Sequence, residues 1–354
     1  MEANHHQEIS NSMRRTCLVV SCILLAIGCC GGPLVLRLYF VHGGKRIWLT
    51  AMLESAGWPI SIIPLLLSYI HRRKSKVPST NLISIKLPTF VSAAIISFIS
   101  AISNYTYTFG VAHLPVSTSS LIAASQLTFT AFFAFVIVKQ KFTPYSTNAV
   151  VLLTVGTVVL ALHAGSDRPE GESNRLYILG FLLTFVSSAL SGLMMPLLEL
   201  TYKKAKQAIT PSLVMEIQIV VSFFATAFCI VGMIVNNDFK VIPREAKEYQ
   251  LGEAKYYVVL VFSAIMWQFF LLGIMGIVFS SSALVSGITA SALLPITEVL
   301  AVIVFHDKFQ AEKGVALVLS LWGFCSHFYG EMKHSKKESQ VQETEICTTP
   351  NAVL

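Results

Sequence analysis

Two carboxylates, Glu54 and Glu298, lie deep within long apolar stretches of this 354-residue chain. If each stretch is a transmembrane helix, both residues should lie ~10 Å or more below the outer surface of the bilayer, at 1.5 Å per residue. An ionisable group at that depth is costly and therefore indicates a functional site. Such a carboxylate can take up and release a proton, so we expect Glu298, or Glu54, to couple transport to protons. A hydrogen bond between two helices is the alternative for both.

Glu54 also has neighbours that suit a ring-shaped ligand. Trp58 follows at i+4 and Ser61 at i+7, so a continuous helix places all three on one face. A wide aromatic ring beside an acceptor suits a flat heteroaromatic ligand that bears N–H groups. Trp is also common at membrane interfaces, which leaves an alternative for Trp58.

Uncharged polar residues on two further apolar stretches extend the candidate binding site. Asn104 and Tyr105 fall in one stretch, and Gln126 shares a helical face with Thr130 in the next. A side-chain amide offers a donor and an acceptor together, the combination that can recognise the edge of a nucleobase. Hydrogen bonding between helices is the alternative for each of these residues.

In the second half of the chain, Trp267 and Gln268 again combine an aromatic ring with an amide. We found no phosphate-binding loop, no metal-ligand cluster and no catalytic triad in the sequence. The sequence therefore predicts no catalytic residue, no metal, no cofactor and no enzymatic activity. Transport would run on an ion gradient or on the gradient of the substrate itself.

The composition determines the environment in which these residues lie. The chain is 54% hydrophobic and only 13% charged, with a mean hydropathy of +0.66, which excludes a soluble protein of this size. Its net charge of +7 does not indicate nucleic-acid binding, because the basic residues form short runs between apolar stretches. The lipid bilayer is the predicted partner.

Ten apolar segments approach the roughly 20 residues that a bilayer-spanning helix needs. The predicted class is therefore an all-α integral membrane protein with ten transmembrane helices. More Lys and Arg residues fall in the loops that this count places on the same side as the N-terminus, so both termini should be cytoplasmic. The predicted spans are 17–41, 46–70, 88–112, 115–138, 145–163, 177–203, 211–237, 256–280, 283–305 and 312–332.

An internal repeat supports this count. A shift of 167 residues aligns Lys139 to Thr143 with His306 to Gln310, and each of these segments follows a long apolar stretch. Five helices per half is an odd number, so the two halves should be inverted repeats, as in many secondary transporters. The predicted division is a cytoplasmic tail over 1–13, repeats over 14–166 and 167–332, and a disordered cytoplasmic tail over 333–354.

Several stretches resemble the plant purine permease family of the drug/metabolite transporter superfamily. The similarity runs over roughly residues 14–332, and the stretches that carry it are Gly32 to Phe40, Trp48 to Pro59, Ser103 to Tyr107, Leu114 to Phe129 and Glu298 to Phe309.

This resemblance implies a multi-pass protein of the plasma membrane that imports purine bases and derivatives, such as adenine and cytokinins, together with protons. Glu54, Trp58, Asn104, Tyr105, Gln126, Trp267 and Gln268 would then contact the purine. A nucleotide-sugar or other metabolite exchanger of the same superfamily is the alternative. Such an exchanger should carry intramembrane Lys or Arg, and only Arg37 approaches the predicted core.

Overall fold

The structure, a computed structural model, is helical throughout the part of the chain that it describes. The described residues are 2–74, 84–114, 122–123, 125–162, 173–205, 209–305, 314–315, 318–319, 321–330 and 333. The predicted boundary between the repeats and nearly all of the predicted C-terminal tail lie outside them. The side chain of Glu298 is also outside the described part.

We number the described helices along the chain. They are α1 Glu2–Val41, α2 Ile47–Leu53, α3 Pro59–Lys74, α4 Leu87–His113, α5 Gln126–Val138, α6 Pro144–Leu162, α7 Asn174–Lys204, α8 Pro211–Val235, α9 Asp238–Glu248, α10 Glu253–Ser280, α11 Ala283–Phe305 and α12 over residues 321–330.

Six of the described helices, namely α1, α4, α7, α8, α10 and α11, are long and apolar enough to cross a membrane. The all-helical membrane class is therefore confirmed. The count of ten spans and the inverted repeat stay predictions.

The packing has the pairing that an inverted repeat requires. The two most extensive helix contacts are α1 with α10 and α4 with α7. In the predicted repeat, α1 corresponds to α7 and α10 corresponds to α4. Exchange of the two halves therefore converts the contact of α1 with α10 into the contact of α7 with α4.

Small residues allow α1 and α10 to approach closely. A Cβ atom on Gly28 would collide with the backbone nitrogen of Phe270, and one on Gly273 would collide with the backbone of Leu25. Small residues drive helix association in membranes because they let backbones pack together. The sequence Gly31-Gly32-Pro33 does not break α1, which continues through Pro33.

The break falls in the second predicted span instead. Helix α2 ends at Leu53, residues 54–58 form turns, and α3 begins at Pro59. Pro59 lacks the amide hydrogen that a continuous helix would need there. Gly57 sits so close to α10 that a Cβ atom would collide with the carbonyl oxygen of Ala264. The prediction of one unbroken helix over 46–70 is therefore wrong.

A charged cluster links the two halves at the end of the bundle predicted to face outward. Arg46, between α1 and α2, pairs with Glu245 of α9 (Nε to Oε2, 3.0 Å) and lies 3.7 Å from Asp238 (Nη1 to Oδ1). Glu245 also accepts hydrogen bonds from the hydroxyls of Tyr39 and Tyr256. Because Asp238 and Glu245 are both buried, Arg46 balances two desolvated carboxylates.

At the opposite end, two buried glutamates hold the starts of other helices. Glu199 pairs with Lys203, and its Oε2 accepts the backbone N–H of Ala283 at 2.7 Å. Glu216 accepts the N–H groups of Ser84 and Ile85, just before α4. A carboxylate at a helix N-terminus satisfies unpaired amides and interacts favourably with the helix dipole. A structural role, holding the starts of neighbouring helices, therefore accounts for the burial of both glutamates.

Replacing Arg46 with Met should lower the melting temperature of the purified protein, and by more at pH 8 than at pH 5. Burial raises the pKa of the Asp238 carboxyl, whereas the hydrogen bond from Asn236 and the charge of Arg46 lower it. A carboxyl whose pKa is raised in the folded state destabilises the fold as the pH rises through that pKa, because the group then becomes charged. Removal of the cation therefore lowers the stability of the protein most at high pH. The loss in the free energy of unfolding should stay below the ~3–5 kcal/mol that breaking a fully buried ion pair costs. The reason is that the Arg46 side chain is 27% exposed, so water screens the pair in part.

Arg244→Met is the matched control. Arg244 pairs with Glu248 on the exposed face of α9, where it holds the pKa of that carboxyl below its ordinary value. An exposed pair of this kind contributes little, so the melting temperature should hardly move. Equal losses in the two variants would contradict a special role for the Arg46 cluster.

Candidate functional site

A central cavity lies between α1, α4, α5, α7, α10 and α11, near the middle of the long helices. Counted over positions that the centre of a water molecule can occupy, its volume is about 120 Å³. One water needs roughly 10–15 Å³ on that measure, so the space suits a compact two-ring molecule. Its lining is Cys29, Pro33, Glu54, Ser100, Ser103, Asn104, Tyr107, Ala123, Gln126, Leu127, Ser187, Ser188, Ser191, Met194, Met195, Trp267, Phe270, Leu271, Ile274, Gly287, Ala290, Ser291 and Leu294.

The broken second span supplies Glu54, the one acidic residue among the described residues of this lining. Glu54 follows the last residue of α2 and is only 5% exposed. Its Oε1 accepts a hydrogen bond from the hydroxyl of Thr108 on α4 at 2.8 Å. Among the described residues no Lys, Arg or His forms an ion pair with it, so a ligand N–H or a proton can reach a carboxylate that has no cation.

Two amides face the cavity with their hydrogen-bonding groups unused. Asn104 of α4 and Gln126 at the start of α5 both line it. Their side-chain amides have no hydrogen-bond partner among the described residues. Each amide therefore has a donor and an acceptor to offer a ligand.

Aromatic residues form another part of the wall. The ring of Trp267 makes edge-to-face contacts with Tyr107 (centroids 6.2 Å apart) and Phe270 (5.4 Å). Gly32 of α1 packs beside the Trp267 ring, because a Cβ atom there would lie 3.1–3.4 Å from three ring carbons. The indole is thus held in place, and its Nε1 has no partner within the described residues.

The walls contributed by α4 and α10 match in position and differ in chemistry. Helix α4 contributes residues 100, 103, 104 and 107, and α10 contributes the four positions that lie 167 residues later. The predicted repeat aligns the four α4 positions with the four α10 positions. The α4 set is polar and the α10 set is apolar or aromatic: Ser100, Ser103, Asn104 and Tyr107 face Trp267, Phe270, Leu271 and Ile274.

Three of the predicted site residues lie elsewhere in the bundle. Trp58 packs edge-to-face on Phe223, at 5.5 Å between centroids, because the break at 54–58 ends the helical register that would have aligned it with Glu54. Tyr105 stacks on Trp48 at 4.0 Å. Neither side chain lines the central cavity, and the predicted contact of Trp58 and Tyr105 with the substrate stays a prediction.

Gln268 is the third displaced residue. It is buried, donates to the Ser61 hydroxyl at 2.6 Å and accepts from Gln218 at 3.1 Å. Its amide therefore forms hydrogen bonds between helices and joins α3, α8 and α10. Glu298 belongs to α11, and its predicted coupling role rests on a side chain outside the described part.

The sequence contains a signal for two lining features that we did not predict. On α4, Asn104 and Tyr107 are three residues apart and share a face, whereas Tyr105 is turned ~100° from Asn104. On α7, Ser187 and Ser191 are four residues apart and also share a face, and both bond to Ser103 across the helix contact. Helical periodicity alone would have favoured Tyr107 and these serines.

Comparison with known proteins identifies the family of this chain. A family model described as purine nucleobase transmembrane transport matches residues 16–337. The chain belongs to this family. The resemblance to plant purine permeases is thereby confirmed. By its family, the chain is a membrane transporter for purine-type substrates.

Individual proteins agree with the family match. Purine permease 3 of Arabidopsis thaliana is 52% identical over 344 residues, which cover 97% of this chain and 98% of the relative. Purine permease 2 of the same plant is 48% identical over 351 residues, or 96% and 98% of the two chains. A crystal structure of another protein superposes with a TM-score of 0.57 at 14% identity, over 89% of this chain and 96% of that one, and shows the fold alone.

For a purine transporter, the geometry predicts which substitutions weaken substrate binding. Asn104→Ala and Gln126→Ala should each raise the KM for adenine by about 5- to 100-fold, the effect of ~1–3 kcal/mol for an unpaired polar group. Trp267→Phe should also raise the KM, because it removes the indole N–H. Concentration-dependent uptake of labelled adenine, corrected for protein at the cell surface, measures these values.

Residues displaced from the cavity provide the controls. Trp58→Phe and Tyr105→Phe should leave the KM unchanged within about twofold, a shift of only ~0.4 kcal/mol. A KM that rises in these controls and stays constant in the Asn104 and Gln126 variants would place the binding site outside the central cavity.

Proposed function

We propose that this protein imports purine bases and purine derivatives, such as adenine and cytokinins, across the plasma membrane together with protons. The observation that carries the proposal is a cavity with unpaired amides, a buried carboxylate and aromatic rings in a chain of the purine nucleobase transport family. Relatives named purine permease extend over nearly the whole chain, which supports a shared substrate class.

The purine lies between the polar face of α4 and the apolar face of α10. Asn104 and Gln126 bond to ring nitrogens and to the exocyclic group, as amides do with adenine. Glu54 accepts a ring N–H through its free oxygen. Trp267 and Phe270 contact the ring, and contacts of bases with aromatic side chains contribute ~1–3 kcal/mol each by analogy with nucleic-acid binding.

Proton coupling rests on the carboxylates of Glu54 and Glu298. A carboxylate without a cation in a lipid-embedded cavity changes its charge on taking up one proton, and loss of that charge makes movement through the membrane less costly. We assign substrate contact to Glu54, which lines the cavity, and proton transfer to Glu298, in α11.

The lining argues against a nucleotide-sugar exchanger. Such a substrate carries negative charges and would need a cation, yet no Lys, Arg or His is among the described residues that line the cavity. Arg37, the cation nearest the predicted core, places its guanidinium 4.3 Å from the centre of the Phe305 ring. Arg37 lies one helical turn beyond the cavity residue Pro33 and is not among the residues that line the cavity.

Uptake should be faster at acidic external pH and should collapse when a protonophore is added. Labelled adenine in yeast cells that lack their own adenine transport provides the assay, and unlabelled cytokinin should compete. Uptake that is indifferent to both pH and protonophore would contradict proton coupling and leave facilitated diffusion.

Glu298→Gln and Glu54→Gln should separate coupling from binding. Glutamine keeps the shape and the hydrogen bonding but cannot titrate, so Glu298→Gln should abolish accumulation against a gradient while counter-exchange survives. Glu54→Gln should change affinity and selectivity and retain pH dependence. The reverse pair of phenotypes would exchange the two roles, and wild-type behaviour in both variants would refute them.

A further inference from the structure

We infer that Thr108 is a positioning residue for substrate recognition, one that fixes one oxygen of Glu54 so that the other oxygen meets the ligand. This inference rests on the proposed function and names a residue that does not itself line the cavity. Four structural observations carry it.

The first observation is the unusual partner of the Thr108 hydroxyl. Threonines in helices commonly donate to the carbonyl four residues earlier, as Thr106, Thr130 and Thr184 do here. Thr108 instead donates to Glu54 Oε1 of another segment at 2.8 Å, and it is fully buried. A hydroxyl has one proton to donate, so this proton is committed to the carboxylate.

The second observation is that the two oxygens of Glu54 differ. Oε1 accepts the Thr108 hydroxyl. Oε2 has no partner among the described residues, and Glu54 lines the cavity. A carboxylate held at one oxygen offers the other in a fixed direction, which reduces the entropy that a ligand must overcome on binding.

The third observation is that the local backbone gives this side chain little support. Glu54 follows the end of α2 and precedes turns, so no continuous helix runs past it on its C-terminal side. The contact that fixes its carboxylate comes from Thr108 on another helix.

The fourth observation is that the backbone around the break is held without Thr108. The Ser55 hydroxyl accepts from Thr226 at 3.2 Å, and the Ser61 hydroxyl accepts from Gln268 at 2.6 Å. Gly57 packs directly against α10. Removal of the Thr108 hydroxyl should thus free the carboxylate while the chain around it stays in place.

The test is the KM and the maximal rate of adenine uptake in cells that express Thr108→Val, with surface protein quantified. Valine has nearly the same shape and no hydroxyl. We expect the KM to rise about tenfold with little change in maximal rate, because a hydrogen bond to a charged group is lost. Thr108→Ser should restore a wild-type KM, since serine keeps the hydroxyl.

Thr106→Val is the matched control. Thr106 is buried two residues earlier on α4, and its hydroxyl donates only to backbone carbonyls of its own helix, those of Ile102 and Ser103. The KM of the Thr106→Val variant should stay within twofold of the wild-type value. A rise in KM as large as that of Thr108→Val would show a general response of α4 and overturn the inference.

Thr108→Cys provides a second route if the valine variant fails to reach the membrane. The thiol fills a similar volume but is a weak donor, so the KM should again rise. If the valine and cysteine variants both fail to reach the membrane while serine succeeds, the hydroxyl serves folding and the inference is overturned. A wild-type protein that takes up no adenine would instead refute the proposed function.

Discussion

A bilayer core contains no water to satisfy polar groups, so each polar group of this bundle must find its partner within the protein. Gln268 meets this requirement through Ser61 and Gln218, and Glu199 meets it through Lys203 and the start of α11. Against this background, polar groups at the centre without partners are conspicuous. Three of them, the side-chain amides of Asn104 and Gln126 and the Nε1 of Trp267, line one cavity of the described structure, which makes that cavity the best candidate for the binding site.

The broken second span follows from the same constraint. Irregular backbone at membrane depth is tolerated where it is buried in protein or lines a cavity. The turns at 54–58 are covered by α4, α8 and α10, which supply Thr108, Thr226 and Gln268 as hydrogen-bond donors to Glu54, Ser55 and Ser61. Within the break, the backbone N–H groups of Ser55 and Ala56 still donate to the carbonyl of Met52, and the break brings a carboxylate to the cavity.

The sequence was sufficient to predict the class, most helix positions, and four cavity residues: Glu54, Asn104, Gln126 and Trp267. It was insufficient wherever the outcome depended on which neighbour a side chain meets. Trp58 was assigned by the register of an unbroken helix, and the break removed that register. Gln268 has the same chemistry as Asn104, but the positions of Ser61 and Gln218 on neighbouring helices let its amide bond to protein groups.

The two halves of the cavity explain how a repeated fold can recognise an unsymmetrical molecule. Equivalent positions on α4 and α10 line it, so the backbone framework is common to both sides. The side chains diverge, because Ser103 and Asn104 on α4 correspond to Phe270 and Leu271 on α10. A purine has a polar edge and two apolar faces, and a cavity with one hydrogen-bonding wall and one aromatic wall can satisfy both at once. Divergence of the side chains alone is therefore enough to give such a cavity a direction.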